Sequence, residues 1–204
     1  MIENPSPYKI FNAALNAGSL KIDSEKIALF RLSSARYHFT QNFECASQGL
    51  AENTVRGYSE SLRLFLAHTA LEILIQAIDF PKKSNAALFR KAKIENEPEL
   101  AKDLRRILDN QPKGKEKLIS KIKPFLHKST ANALQDFADE KNDNVTIVAH
   151  VFRIMVAHGY FTATGMQTST KKNAETFHKL SDSLLKKHQA VFREWLEKNL
   201  PNEV

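Results

Sequence analysis

Apolar residues recur along most of this chain at three- and four-residue steps, the spacing of one face of an α-helix. Period-2 runs of β-branched residues and Asn-Gly or Asp-Gly hairpin turns are missing, so strands are not expected. A first long helix is predicted from Ser24, a good N-cap, to about Gly49. Its core stripe is read as Ala28, Leu32, Ala35, Phe39 and Phe43, with Arg31, Arg36 and Glu44 outside that stripe or at its margins. A second helix runs from about Asn53 or Thr54 to Ile78, stopped by Asp79-Phe80-Pro81. Short helices follow near 84–94, 97–109, 113–127 and 130–138, and 139–143 (Asp-Glu-Lys-Asn-Asp) is a polar break. A third long helix covers about 144–164 and ends near Gly165; a fourth, about 170–199, ends before Pro201. The expectation is an all-α chain, a single helical domain over 1–204. It is built as an up-and-down bundle of four long helices with a set of short basic helices, 81–128, inserted between the second and third.

Charge changes that picture in one place. The 204 residues carry a formal net charge of +7. Residues 81–128 hold fourteen Lys/Arg against six acids, a local net of +8, and four of the seven prolines (Pro81, Pro98, Pro112, Pro124). The remainder is nearly neutral. The excess therefore sits on a Pro-segmented insertion, either as a solvated surface or as an anion-binding face. Its candidate phosphate contacts are Arg105, Arg106, Lys113, Lys115, Lys117, Lys121 and Lys123. Hydrophobic residues at 42% suffice for a core, and scarce Gly and Pro exclude collagen-like and disordered chains. A lone Cys45 excludes a disulfide scaffold and a cysteine-rich zinc module and suits a reducing cytoplasm. No signal-peptide pattern opens the sequence, and no window reaches the roughly 18 unbroken apolar residues of a membrane span.

The stretch 145–164 is unusual in holding one formal charge, Arg153, among residues that are apolar on nearly every side of the helix. Such a helix is buried centrally or at an interface. An unpaired guanidinium there would be costly, so Arg153 needs a carboxylate, backbone acceptors or an anionic ligand. Local conflicts of this kind tend to mark functional sites. His158 follows five residues later and Gly159 directly after it. A five-residue step turns a helix by about 140°, so the two side chains converge only by a long reach of Arg153, a distortion near Gly159 or a symmetry mate. His150, one turn before Arg153, reads as a core histidine or an accessory contact.

The spacing Arg153-x-x-x-x-His158-Gly159 on a late apolar helix resembles the signature of the HEPN superfamily, an Arg followed by four to six residues and a His. The likeness covers about twenty residues closely and the bundle outline loosely. The family often has a polar residue just after the Arg, where this chain has Ile154. The resemblance implies a homodimer that packs this helix against its mate. Arg153 and His158 then form a composite catalytic site that cleaves RNA with no metal or other cofactor. An antitoxin-like protein is a further partner to expect; some family members are inactive binding modules. The chemistry suits the residue types. A histidine can take the 2′-hydroxyl proton or protonate the leaving oxygen, and a guanidinium can hold the phosphate as charge develops on it. The implied product is a 2′,3′-cyclic phosphate.

Two further Arg–His spacings occur. Arg63 and His68 lie on the second helix, where His68, Glu72 and Gln76 sit at successive i, i+4 steps; Arg31 and His38 lie at the edge of the first. Both are read as structural. Walker A, Gly-x-Ser-x-Gly, His-Glu-x-x-His and Gly-x-Gly-x-x-Gly motifs are absent, and His38, His127, His178 and His188 form no zinc-ligand set with Cys45. Two alternatives to a nuclease stand beside it. One is a binding module in which 97–109 and 115–123 flank the turn 110–114 as a helix-turn-helix contacting phosphates. The other is a dimeric helical scaffold in which Arg153 only pairs with an acid.

Overall fold

The structure, a computed structural model, describes residues 6–45, 49–80, 92–111, 114–159 and 170–200, and all regular structure among them is helical. Among the described residues eight α-helices follow in order: α1 (Pro7–Asn16), α2 (Ser24–Gln41), α3 (Glu52–Asp79), α4 (Pro98–Asp109), α5 (Lys115–Ile122), α6 (Lys128–Ala138), α7 (Thr146–Ala157) and α8 (Lys171–Asn199). A 3-10 turn, Lys123–Phe125, extends α5. Helices α3, α4, α6 and α8 lie within two residues of the sequence expectation at each end. The short helix expected at 84–94 falls mostly outside the described residues.

Three differences have local causes. Helix α1 was not anticipated; Ser6 caps it by accepting from the Lys9 N–H, with Pro7 preset for the first turn. Helix α2 ends at Gln41 rather than near Gly49, because the chain turns out at Asn42 and the Cys45 N–H bonds to Ser59 Oγ of α3 (3.1 Å) instead of a helical carbonyl. Helix α7 stops at Ala157. Gly159 adopts φ +69°, which ends the helix in the left-handed conformation, and its N–H bonds to the Val156 carbonyl (3.1 Å).

Helix α3 is the axis of the packing, contacted by α2, α7 and α8. By length and composition it could cross a membrane, yet 56% of its most apolar window is buried inside the protein. Helix α2 buries the face Phe30, Ser33, Tyr37 and Thr40, not the expected stripe. Ala28, Leu32, Ala35 and Phe39 point outward, with Leu32 46% and Phe39 59% exposed. The buried hydroxyls are satisfied: Ser33 Oγ donates to the Ala70 carbonyl (2.8 Å) and Thr40 Oγ1 to the Arg36 carbonyl (2.6 Å). From α8, His188 Nε2 lies 2.8 Å from Ser33 Oγ and 3.0 Å from the Tyr8 hydroxyl. Beside this polar knot is an aromatic layer joining α1, α2 and α8. Phe30 stacks on Phe192 (5.1 Å between centroids, planes 12° apart) and meets Trp195 at 4.5 Å.

The remaining helices are tied down by hydrogen bonds as well as apolar contact. Thr146 Oγ1 donates to the Ala92 carbonyl (2.6 Å) and the Val145 N–H to the Ile94 carbonyl (3.1 Å), holding 92–94 against the start of α7. Ser183 of α8 donates to Glu97 (2.7 Å) just before α4.

Candidate nucleic-acid site

Helix α7 goes from buried to exposed along its length. Thr146, Ile147, Val148, Ala149, Val151, Phe152 and Met155 are in the core, as the apolar sequence requires, whereas Ala157, His158 and Gly159 are exposed. Arg153 lies between the two zones, its side chain 33% exposed. Its Nη2 meets Glu72 Oε2 of α3 at 3.3 Å, which supplies the carboxylate that its setting demands. Arg153 Nε is buried without a hydrogen-bond partner among the described residues. Glu72 therefore anchors one edge of the guanidinium while part of it stays open to water.

Two histidines lie behind this pair. The His68 and His150 rings are 5.2 Å apart at their centroids. Burial lowers both pKa values, His150 to about 4 and His68 well below the usual imidazole value. The neighbouring Arg153 charge pushes each the same way, and for His68 the proximity of His150 pushes harder than Arg153. Both rings are thus neutral near pH 7. The 3.9 Å approach of His68 Nδ1 to Glu72 is for that reason a polar contact rather than an ion pair. His150, proposed as an accessory contact, belongs to this inner layer.

His158 is the C-cap residue of α7, and its N–H bonds to the Ile154 carbonyl (3.1 Å). Its exposed ring packs on Phe125 of the 3-10 turn, with centroids 5.7 Å apart. No hydrogen bond links Arg153 to His158 among the described residues. They share the last turns of one helix end without converging, as the helical step anticipates.

The seven basic candidates divide by partner. Arg105 is a structural clamp: its Nε donates to the Phe137 carbonyl (2.8 Å), its Nη2 to the Asn142 carbonyl (2.6 Å) and to Asp143 (2.6 Å), and its guanidinium lies over the Phe137 ring. Arg106 pairs with Asp103 (3.1 Å). Lys115 meets Asp109 (3.2 Å) and the Ala138 carbonyl (3.3 Å). Lys113 lies outside the described residues. Lys117, Lys121 and Lys123 are exposed and make no ion pair among the described residues. Replacing Arg105 by Ala is expected to cost about 2 kcal/mol in urea denaturation, because two partly buried carbonyls lose a charged donor. Arg105→Lys should fail to restore it, since an ammonium cannot span the same acceptors; full stability in either variant would refute the clamp.

The two other Arg–His spacings are structural. Arg63 pairs with Asp182 of α8 (2.8 Å), and His68 is buried; His38 packs on Tyr8 and Tyr37. Among the described residues no three His, Cys, Asp or Glu side chains come together in a way that could hold a metal ion. Sequence reasoning missed two members of the site. One is Phe125. The other is Glu72, and a signal for it existed: residues 64–78 contain Glu72 as their one formal charge, just as 145–164 contain Arg153. Two apolar segments with single opposite charges are a pairing waiting to be drawn. No family model, curated protein or solved structure matches this chain.

Proposed function

We propose that this chain is a HEPN-like RNA-binding protein acting as a metal-independent endoribonuclease, with Arg153 and His158 as its reactive pair. The carrying observation is the end of α7. A guanidinium anchored from one side by Glu72 and a water-exposed imidazole stand on the same helix terminus, the imidazole against Phe125, two residues beyond the exposed Lys123. Arg153 would hold the phosphate through its open N–H groups. His158 would take the 2′-hydroxyl proton while the 2′-oxygen attacks phosphorus and the bond to the 5′-oxygen breaks. A protonated His158 from a second copy would give the 5′-oxygen its proton, leaving a 2′,3′-cyclic phosphate and a 5′-hydroxyl. On this reading α2, α3, α7 and α8 are the four members of an up-and-down bundle, and the short basic helices are its insertion. The protein works as a cytoplasmic homodimer.

The Arg153–Glu72 contact also favours a second reading, a binding module without cleavage, because the carboxylate neutralises part of the charge that would stabilise a transition state. One experiment separates the two. Purified wild type and His158→Ala are incubated with labelled RNA in EDTA, and the ends of any products are analysed. The nuclease reading expects cyclic-phosphate ends from wild type and a loss of at least about 100-fold in His158→Ala. RNA that wild type binds but leaves intact, across several sequences, rejects the nuclease and leaves the binding module.

A further inference from the structure

Helices α2, α3 and α8 meet around a cavity of about 420 Å³. Arg63 enters it from α3, nine residues before Glu72 and so about 180° around that helix from it. Tyr37 and Gln41 enter from α2, one turn apart, and Asp182, Lys186 and Gln189 share one face of α8. The donors among these side chains are largely unspent. Arg63 is only 14% exposed in its side chain, yet its one hydrogen bond among the described residues runs from Nη2 to Asp182 Oδ1 (2.8 Å). Its Nε is buried with no partner among them. Tyr37 is buried, its ring stacked on His188 at 4.9 Å between centroids. Its hydroxyl accepts from Gln41 Nε2 (3.1 Å) and meets no acceptor for its own proton among the described residues. The Lys186 and Gln189 side chains make no hydrogen bond or ion pair among them. Buried donors are normally satisfied, and here several face one cavity and all require an acceptor.

Charge narrows the choice of acceptor. Arg63 and Lys186 against Asp182 leave the cavity one net positive charge. Glu60, one turn before Arg63, is turned to His178, whose Nδ1 donates to it (3.0 Å), and does not line the cavity. Lys186 and Asp182 also border a second cleft, which carries Glu97, Glu99 and Asp103. A phosphate dianion or a nucleic-acid backbone would exceed the single charge and meet repulsion from those carboxylates. One carboxylate balances the charge, and its two oxygens suit the planar edge of a guanidinium. Leu185, between Asp182 and Lys186, offers an apolar wall, and the volume is in the range of small-molecule sites. We infer that this cavity binds a small monocarboxylic acid. Its carboxylate lies on Arg63 and the Tyr37 hydroxyl, Lys186 and Gln189 close the rim, and its carbon body rests against Leu185. The site shares no residue with the end of α7 and does not depend on the RNA reading.

The test is an NMR titration of the ¹⁵N-labelled full chain at pH 7 that includes the arginine Nε–H signals. The probes are benzoate, its neutral isostere benzamide, and inorganic phosphate. Benzoate should bind with a Kd of about 1 mM and move the Nε–H signal that disappears in Arg63→Lys. Benzamide and phosphate should each bind at least about tenfold more weakly. Tyr37→Phe, which removes only the hydroxyl, should weaken benzoate about fivefold. Arg63→Lys should weaken it about tenfold, because an ammonium cannot hold Asp182 and a second carboxylate side by side. Lys186→Ala changes an exposed residue and should weaken benzoate about threefold while flattening its salt dependence. Circular dichroism and melting verify that each variant is folded; Tyr37→Phe and Lys186→Ala decide the matter if Arg63→Lys is not. Absence of benzoate binding at ten times that concentration, equal affinity for benzamide, or tighter binding of phosphate would each overturn the inference. So would wild-type benzoate affinity in folded Tyr37→Phe and Lys186→Ala.

Discussion

Phe192→Ala is expected to cost about 3–5 kcal/mol, the range for truncating a fully buried aromatic side chain. Phe192 has no exposed surface, and its ring lies 4.8 Å from Tyr8, 5.6 Å from Phe11 and 5.1 Å from Phe30. Removing it empties the point where α1, α2 and α8 meet and ends the stacked pair with Phe30. Since a domain of this kind is stable by only about 5–15 kcal/mol, such a loss brings the variant close to unfolding. The single tryptophan, Trp195, sits 6.2 Å from Phe192 and reports on the change directly. Urea denaturation followed by its fluorescence should show a large fall in midpoint. Phe192→Leu, which keeps most of the volume, should fall much less. A Phe192→Ala loss below about 1 kcal/mol would mean that this layer is not packed as described.

The second large effect is acid sensitivity above the range in which carboxylates titrate. Burial holds His188 down to about 3, with the charge of His38 pushing the same way, and His150 to about 4; His68 moves in the same direction. The unfolded chain protonates these residues near 6.5. Between that value and the folded ones the unfolded state binds more protons, so stability rises with pH and falls as the solution is acidified. Each histidine that stays neutral costs roughly 1.4 kcal/mol per pH unit below its unfolded value, or about 4 kcal/mol for His150 and His188 together by pH 5. Denaturant midpoints measured from pH 7.5 to 5 should decline accordingly. His188→Gln should be less stable at pH 7.5, because it disturbs the contacts to Ser33 and Tyr8, yet its decline should be shallower. A pH-independent midpoint in the wild type would show that these imidazoles are solvated.

Helix existence was largely legible in the sequence because the signals are local. Apolar spacing and the stop at Asp79-Phe80-Pro81 locate α3 almost to the residue. Ser6-Pro7, a cap followed by a proline suited to the first turn, was an available signal for α1. Gly159 truncates α7 through a backbone conformation that an apolar count does not register. Which face of α2 is buried was not legible, since its choice depends on acceptors far away in sequence. The Ser33 hydroxyl is acceptable inside only because Ala70 and His188 are there to meet it. The site divided in the same way. The isolated charge of Arg153 announced a partner, but only the packing of α7 on α3 identifies it as Glu72. The basic insertion announced an anion-binding face, yet three of its seven candidates turned out to hold carboxylates or carbonyls of their own.

Helix α2 also shows where information resides in this fold. Its sequence has almost no amphipathic bias, so the helix alone carries little instruction about which way to turn. Its apolar residues would permit either face inward; its polar ones permit only one. The hydroxyl of Ser33 acts as an address that the neighbouring helices read, whereas that of Thr40 is met within α2 by the Arg36 carbonyl. A change such as Ser33→Leu, an improvement on any scale that counts hydrophobicity, would erase that address and leave two orientations to compete.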